Sequence, residues 1–236
     1  MIYDALGIEV TQAEADFAAM VVTLGRHTGK HNTMNLAKRC IDQDIAGDFV
    51  ECGVNAGGHP ALMAYIAKKY EPYGARKVHL YDSFEGVPTC GPEDPREWRE
   101  ITGVNPDPSK PVAAGRIVNP LAGVKENMRK WGAREEQLVY HVGWLQYVLP
   151  KPEERPAAIA LLRIDVDLYD STLPVMEHLY PLVTSGGYII SDDWGENEAM
   201  VPCRLAMFRY FDAHGIAHPT VTRIPETPGT AWWRKP

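Results

Sequence analysis

Carboxylates dominate the chemistry open to this chain: Arg163-Ile-Asp165-Val-Asp167 ends one apolar run, and Ser191-Asp192-Asp193-Trp194 ends the next. A segment with helical periodicity separates the two runs. Consecutive strands of an open parallel sheet joined by one helix finish at the same edge, so the spacing predicts that both acidic groups meet above it. Four carboxylates around one crevice repel and raise one another's pKa values, and a divalent cation relieves that repulsion. All-oxygen donors select Mg²⁺, Ca²⁺ or Mn²⁺, and Mg²⁺ keeps positions free for water and substrate. The expected ligands are Asp165, Asp192 and Asp193. Asp167 stands two residues beyond Asp165, on the same face if the strand persists, and is the expected general base. Asp170 is expected to cap the helix that starts near Ser171.

The turn Glu51-Cys-Gly53-Val-Asn55-Ala-Gly57-Gly58-His59 follows an earlier apolar run and precedes a helix. Glycines there let main chain approach a ligand, and the helix start offers unpaired N–H groups and the positive end of its dipole. The spacing is G-x-x-x-G-G, which departs from the G-x-G-x-x-G of dinucleotide binders. Asp82, followed by Ser83, closes the next strand, where an acid can accept two ribose hydroxyl protons, although Asp82 taken alone could equally cap a turn. An acid on one strand, a glycine turn and an acid after the second strand fit S-adenosylmethionine. Gly143-Trp144 ends a third strand near the expected adenine, and Trp144 reads equally well as a base-stacking residue or a core aromatic.

The elements that must position these groups follow from hydrophobic period. Thr11-Gln-Ala-Glu14 is a capping box, with Phe17, Met20, Val21 and Leu24 on one helix face. A second helix is expected over 33–42. Strands over 48–52, 77–81, 137–142, 158–164 and 187–191 alternate with helices over 58–70, 121–131 and 171–183, which predicts a doubly wound α/β sheet. A helix over 202–214 precedes two short strands, 220–224 and 230–234, too close in sequence to be anything but antiparallel. A parallel sheet closed by such a hairpin resembles the Rossmann-like class I methyltransferase layout. Seven prolines from Pro88 to Pro120 break all periodicity, so 84–120 is expected to be a lid or substrate loop.

With 236 residues, 45% hydrophobic, the chain can bury one core, and a single domain over 1–236 is expected, with 1–46 as a helical cap. A net charge of −7 without a long basic run argues against nucleic acid and anionic membrane as partners. No apolar run approaches a membrane span, and the four cysteines form no C-x-x-C, so reduced thiols and a cytoplasmic location are expected. His27 with His31, and His214 with His218, have the four-residue spacing of helical zinc ligands. Gly29, and Gly215 with Pro219, interrupt those helices, so these histidines are expected on the surface or in the core.

Five ordered motifs resemble one family. Gly47-Asp-Phe-Val-Glu51-Cys-Gly53-Val, Leu80-Tyr-Asp82-Ser83-Phe-Glu-Gly-Val-Pro88, Asp165-Val-Asp167-Leu-Tyr-Asp-Ser-Thr172, Leu179-Tyr-Pro181 and Gly186-Gly-Tyr-Ile-Ile-Ser-Asp192-Asp193 are similar to the macrocin O-methyltransferases, which use S-adenosylmethionine and Mg²⁺ to methylate sugars of natural products. The resemblance implies that Glu51 through Gly58, with Asp82 and Ser83, hold the cofactor. It likewise implies that Asp165, Asp192 and Asp193 hold the metal, that Asp167 is the base, and that Thr33-Met34 reaches the cofactor. The acceptor it implies is a hydroxylated, glycosylated small molecule. The chain departs from the family at Asn55-Ala56, His59 and Trp194, and neither 88–120 nor Trp232-Trp233 has a counterpart. Two rival readings remain: the D-x-D string resembles the haloacid dehalogenase-like Mg²⁺ phosphatases, and a non-catalytic cofactor-binding protein could use Trp232-Trp233 as an interface. A homo-oligomer is left open, since no surface for it is legible.

Overall fold

The computed structural model describes residues 2–105, 107, 109–195, 201–227 and 229–236. Among these, β1 (Asp48–Cys52), β2 (Val78–Asp82), β3 (Leu138–Val142), β4 (Ile159–Ile164), β5 (Val183–Ser191), β6 (Thr222–Arg223) and β7 (Ala231–Arg234) form one sheet in the order β3-β2-β1-β4-β5-β7-β6. The first five run parallel, while β7 is antiparallel to both β5 and β6. Every residue of β4 is buried, because a central parallel strand has neighbours on both edges and helices on both faces. Strand order reverses between β1 and β4. At such a switch point the connections diverge and leave a crevice at the strand ends.

Helices α1 (Gln12–Met20), α2 (His27–Asp42), α3 (Gly58–Tyr70) and α5 (Leu121–Lys130) cover one face, burying Phe17, Leu36, Leu62 and Met128 against Phe49, Leu80 and Leu161. The opposite face takes α6 (Leu145–Val148), α7 (Tyr169–His178) and α8 (Pro202–Ala213), with Leu149, Met176 and Phe211 packed on Leu162, Ile164 and Ile189. Truncating such a residue to Ala costs about 2–5 kcal/mol. Trp233 is buried against Trp194, whereas Trp232 points to the other face beside Tyr188, as alternation along β7 requires. These tryptophans belong to the two cores, and the interface reading for the pair falls.

Several local expectations need correction. The Thr11 capping box forms, but α1 stops at Met20, so the apolar stripe does not continue to Leu24, which is 80% exposed. Helix α2 starts at His27 and contains Gly29, because its first turn is buried against Thr227, with Thr28 Oγ1 2.5 Å from Thr227 Oγ1. Such packing outweighs the roughly 1 kcal/mol cost of a helical glycine. A two-stranded ribbon, Ile2–Tyr3 with Glu9–Val10, was not legible. Strand β5 begins at Val183, which ends the preceding helix earlier than its periodicity implies. The segment 84–120 carries helix α4 (Arg96–Thr102) and bridges Pro88–Ala113 and Cys90–Val104. All four cysteines are free and buried, and no helix among the described residues is long and apolar enough to cross a membrane.

A line of hydrogen bonds crosses the sheet beneath the crevice. Asp48 Oδ2 meets His79 Nε2 at 3.1 Å, His79 Nδ1 meets His141 Nε2 at 2.9 Å, and His141 Nδ1 meets Glu154 at 2.7 Å. Tyr81 stacks on His141 with centroids 4.0 Å apart. These ties fix β3 beside β2, and with it the position of Trp144 relative to Asp82.

Candidate active site

The register sets the first element of the site. Glu51 of β1 lies opposite Arg163 of β4, so their side chains emerge together, and Arg163 Nη1 donates to Glu51 Oε1 at 2.7 Å. Glu51 Oε2 is buried with no partner among the described residues. Burial drives the Glu51 carboxyl well above its ordinary value, opposed by the Arg163 guanidinium. Beyond Glu51 the chain turns at Gly53, with φ +82°, where a Cβ would lie 1.7 Å from the Asp165 carbonyl oxygen. Only glycine lets the ends of β1 and β4 come this close.

Asp82 holds the rest of the turn. Its Oδ2 accepts from Val54 N at 2.8 Å and Asn55 N at 3.3 Å, and its Oδ1 accepts from Phe84 N at 2.7 Å. Asp82 is therefore a loop clamp that retains spare acceptor capacity facing the cavity. Ser83 Oγ is engaged within its own turn, donating to Gly86 O at 3.1 Å. A Cβ on Gly58 would lie 2.3 Å from Thr23 Cγ2, so the segment after α1 runs directly over the start of α3.

At the acidic end, one oxygen each of Asp165, Asp192 and Asp193 lie within 4.8 Å of one another. Arg163, only 2% exposed, donates through Nη1 to Asp165 Oδ2 and through Nη2 to Asp192 Oδ1, each at 2.6 Å. Asp193 Oδ2 accepts from Val166 N and Asp167 N at 3.1 and 2.9 Å. Each carboxylate thus has one oxygen anchored by the protein, and its other oxygen has no protein partner among the described residues. Arg163 neutralises part of the cluster that the sequence showed as wholly acidic, yet the carboxylates still outnumber it. Burial, then the balance of Arg163 and Asp192, leaves Asp165 raised to about 6. Burial, Asp165 and Asp192 push Asp167 up to about 7.

Asp167 does not continue the strand. β4 ends at Ile164, Leu168 N donates to Val166 O at 2.6 Å, and Asp167 sits between them at φ +60°. This is a tight three-residue turn with a non-glycine residue in the left-handed region, a strained arrangement that re-aims the carboxyl into the cavity. Asp170 does not cap α7, which begins earlier, at Tyr169. The Tyr169 N–H is taken by Asp94 Oδ1 at 2.9 Å, so a residue of 84–120 supplies the cap.

One cavity of about 340 Å³ joins the two ends. Glu51, Gly53, Asn55, Gly58, Asp82, Ser83, Trp144, Asp165, Asp167, Asp192 and Asp193 all line it. Trp144 is therefore a wall of the cavity, not a core aromatic. Gly57, Gly143, Thr33 and Met34 are not among its walls. Gly57, at φ +93°, lets α5 approach through Met128, and Thr33 reaches the site only through a hydrogen bond to His59. The N-terminal approach falls instead on Val22, Thr23, Leu24 and Gly25. Sequence reasoning also missed Arg163, although a charged residue inside a wholly apolar run is itself a signal for a buried partner.

Strand order, hairpin and switch-point cavity together define a class I methyltransferase fold. A family model described as Macrocin-O-methyltransferase (TylF) matches residues 10–235, and the chain belongs to that family. It is 33% identical over 192 residues to the 8-demethyl-8-(2,3-dimethoxy-alpha-L-rhamnosyl)-tetracenomycin-C 4'-O-methyltransferase of Streptomyces olivaceus, covering 80% of this chain and 66% of that one, just under two thirds of its length. Mycinamicin III 3''-O-methyltransferase of Micromonospora griseorubida is 29% identical over 210 residues, covering 89% and 78%. The solved structure of the O-methyltransferase NovP superposes with a TM-score of 0.73 at 28% identity, over 89% of this chain and 80% of that one. The phosphatase alternative is overturned by this membership.

Proposed function

We propose that this chain is a cation-assisted O-methyltransferase that moves a methyl group from S-adenosylmethionine to a hydroxyl of a glycosylated small molecule. The observation that carries the reading is the set of three anchored carboxylates, each with a spare oxygen, in the same cavity as a glycine cradle and the orphaned Glu51 Oε2. Such a donor set fits a hard divalent ion, with Mg²⁺ the best match. The cradle and the buried acceptor fit the donor's amino-acid tail. A rhamnosyl group in the name of the tetracenomycin relative supports a sugar acceptor.

Asp165, Asp192 and Asp193 hold the ion, and Glu51, Gly53, Gly58, Asp82 and Trp144 hold the donor. When bound, the ion supplies Lewis acidity to a neighbouring hydroxyl, and the donor supplies an electrophilic methyl on sulfonium. Asp167 takes the hydroxyl proton, and its raised pKa suits a base at neutral pH. The acceptor oxygen gains the methyl group as the carbon–sulfur bond breaks. Val87, Pro88 and Ile117 from 84–120, with Leu24 from the N-terminal cap, wall the cavity and exclude water, so the chain works as one domain. Four buried free thiols support a reducing, cytoplasmic setting.

The test is mass-detected methylation of a panel of glycosylated acceptors with S-adenosylmethionine. EDTA should abolish product, and added Mg²⁺ should restore it while donor binding stays within about threefold. Undiminished turnover in EDTA rejects the ion's role, donor binding without product on any acceptor favours the non-catalytic binder, and absence of donor binding rejects the whole reading.

A further inference from the structure

The polar line from Asp48 to Glu154 takes no part in the mechanism above, yet its protons can be counted. His79 and His141 are buried, their rings lie within 10° of parallel with centroids 5.2 Å apart, and His79 Nδ1 meets His141 Nε2 at 2.9 Å. That contact is a hydrogen bond only if one of the two nitrogens carries a proton. The outer nitrogens face carboxylates, His79 Nε2 meeting Asp48 Oδ2 at 3.1 Å and His141 Nδ1 meeting Glu154 Oε2 at 2.7 Å. Both carboxylates reach solvent, and Asp48 Oδ1 already accepts from Lys77 N, so the outer ring nitrogens are the donors. Three bonds need three protons, and two neutral imidazoles carry two. Burial, opposed by the bond to Glu154 and reinforced by His79, holds the His141 imidazole below its ordinary pKa. His141 is therefore the neutral ring, protonated on Nδ1, and the third proton sits on His79. The other titratable groups around the line are Cys52 of β1, Tyr81 of β2 and Arg155 next to Glu154. Burial drives Cys52 and Tyr81 well above their ordinary values, so both stay neutral, and the Tyr81 hydroxyl donates to the Glu154 carbonyl. With Arg155 counted, the third proton brings the cluster into charge balance.

We propose that His79 and His141 form a proton-operated clasp: one proton beyond two neutral rings holds strand β3 against β2, and its loss loosens the wall that Trp144 gives the cavity. β3 is the edge strand, with a neighbour on one side only, and it runs straight into Gly143-Trp144. Tyr81, stacked on His141, lines the same cavity. When the proton leaves, two lone pairs oppose each other between the strands, a buried polar contact left unsatisfied. The folded chain gains a bond by holding the proton, so folding is favoured on the acid side and loses that contribution as pH rises out of the imidazole range. The clasp stands on its own geometry, and only its effect on the donor rests on the S-adenosylmethionine reading.

The experiment is nitrogen-15 NMR of the histidine side chains in the full chain at about pH 7, joined to denaturant melts from about pH 6 to about pH 9. His79 should carry protons on both nitrogens and His141 on Nδ1 alone, and the melting midpoint should fall as pH rises. Glu154→Gln supplies the contrast. Its amide can donate to His141 Nδ1, which moves the His141 proton to Nε2 and closes all three bonds with two neutral rings. This variant should show the exchanged tautomer and melts that no longer depend on pH over that range, an outcome that simple loss of a carboxylate does not produce. His79→Gln, which cannot titrate, should flatten the profile too, and serves if Glu154→Gln fails to fold. Calorimetric affinity for S-adenosylmethionine should fall several-fold from pH 7 to pH 9 in the wild type and stay within about twofold in Glu154→Gln. Two neutral rings in the wild type at pH 7, or melts with the same pH dependence in wild type and variants, overturn the clasp. Affinities that fall alike in both chains overturn its link to the cavity wall. A wild type with the expected spectra and melts that binds no donor overturns the methyltransferase reading instead, which separates the two failures.

Discussion

The two ends of the cavity are built by different means. On the donor side, main chain does the shaping: Gly53 lets β1 and β4 approach, and Asp82 clamps the N–H groups of Val54, Asn55 and Phe84. On the acidic side, charge does it: one buried guanidinium pins Asp165 and Asp192, and Asp193 is held by two amides of a strained turn. A site fixed by shape tolerates little change in volume or backbone dihedral. A site fixed by charge tolerates little change in proton or ion content. On the function proposed above, binding the donor and activating the acceptor should therefore be separable by mutation, although one cavity would serve both.

The largest expected effect tests the acidic side. Asp167→Asn should lower kcat by about 10²–10⁴-fold, the usual contribution of a positioned general base, with donor affinity unchanged by titration. A parallel fall in affinity would break the separation. On the donor side, Asp82→Asn replaces a carboxylate that accepts three N–H groups with a group that has one acceptor oxygen. Donor affinity should fall about tenfold and unfolding free energy by about 1–3 kcal/mol, while Mn²⁺ binding followed by electron paramagnetic resonance stays the same. The smallest effect sharpens the contrast. In Gly57→Ala the new Cβ meets Met128 Sδ and Val124 Cγ1 at 3.2 Å from a φ of +93°, so about 1–2 kcal/mol of stability should be lost in denaturant melts with kcat nearly unaltered.

Legibility in the sequence followed the same division. Strand ends were readable because parallel strands are continuous apolar runs, so Glu51, Asp82, Asp165, Asp192 and Asp193 fell where topology brings them together. What tertiary contacts decide was not. The turn at Asp167 depends on Asp193, which follows the end of another strand. The cap of α7 comes from Asp94, far along the chain. Periodicity carried α1 through Val21 and Leu24, although the helix ends before them and that segment crosses the cavity. Thr33-Met34, taken over by resemblance, sits one layer behind the wall formed by His59.

Arg163 extends one planar fork to acids contributed by three neighbouring strands, with Nη1 shared by Glu51 and Asp165 and Nη2 given to Asp192. A lysine, a single point of charge on a flexible stem, cannot reproduce that spread, so even the most conservative exchange strands a buried anion. The arginine and its three acids can drift only in concert, which makes this position a poor target for engineering and a sound anchor around which acceptor specificity can be redesigned.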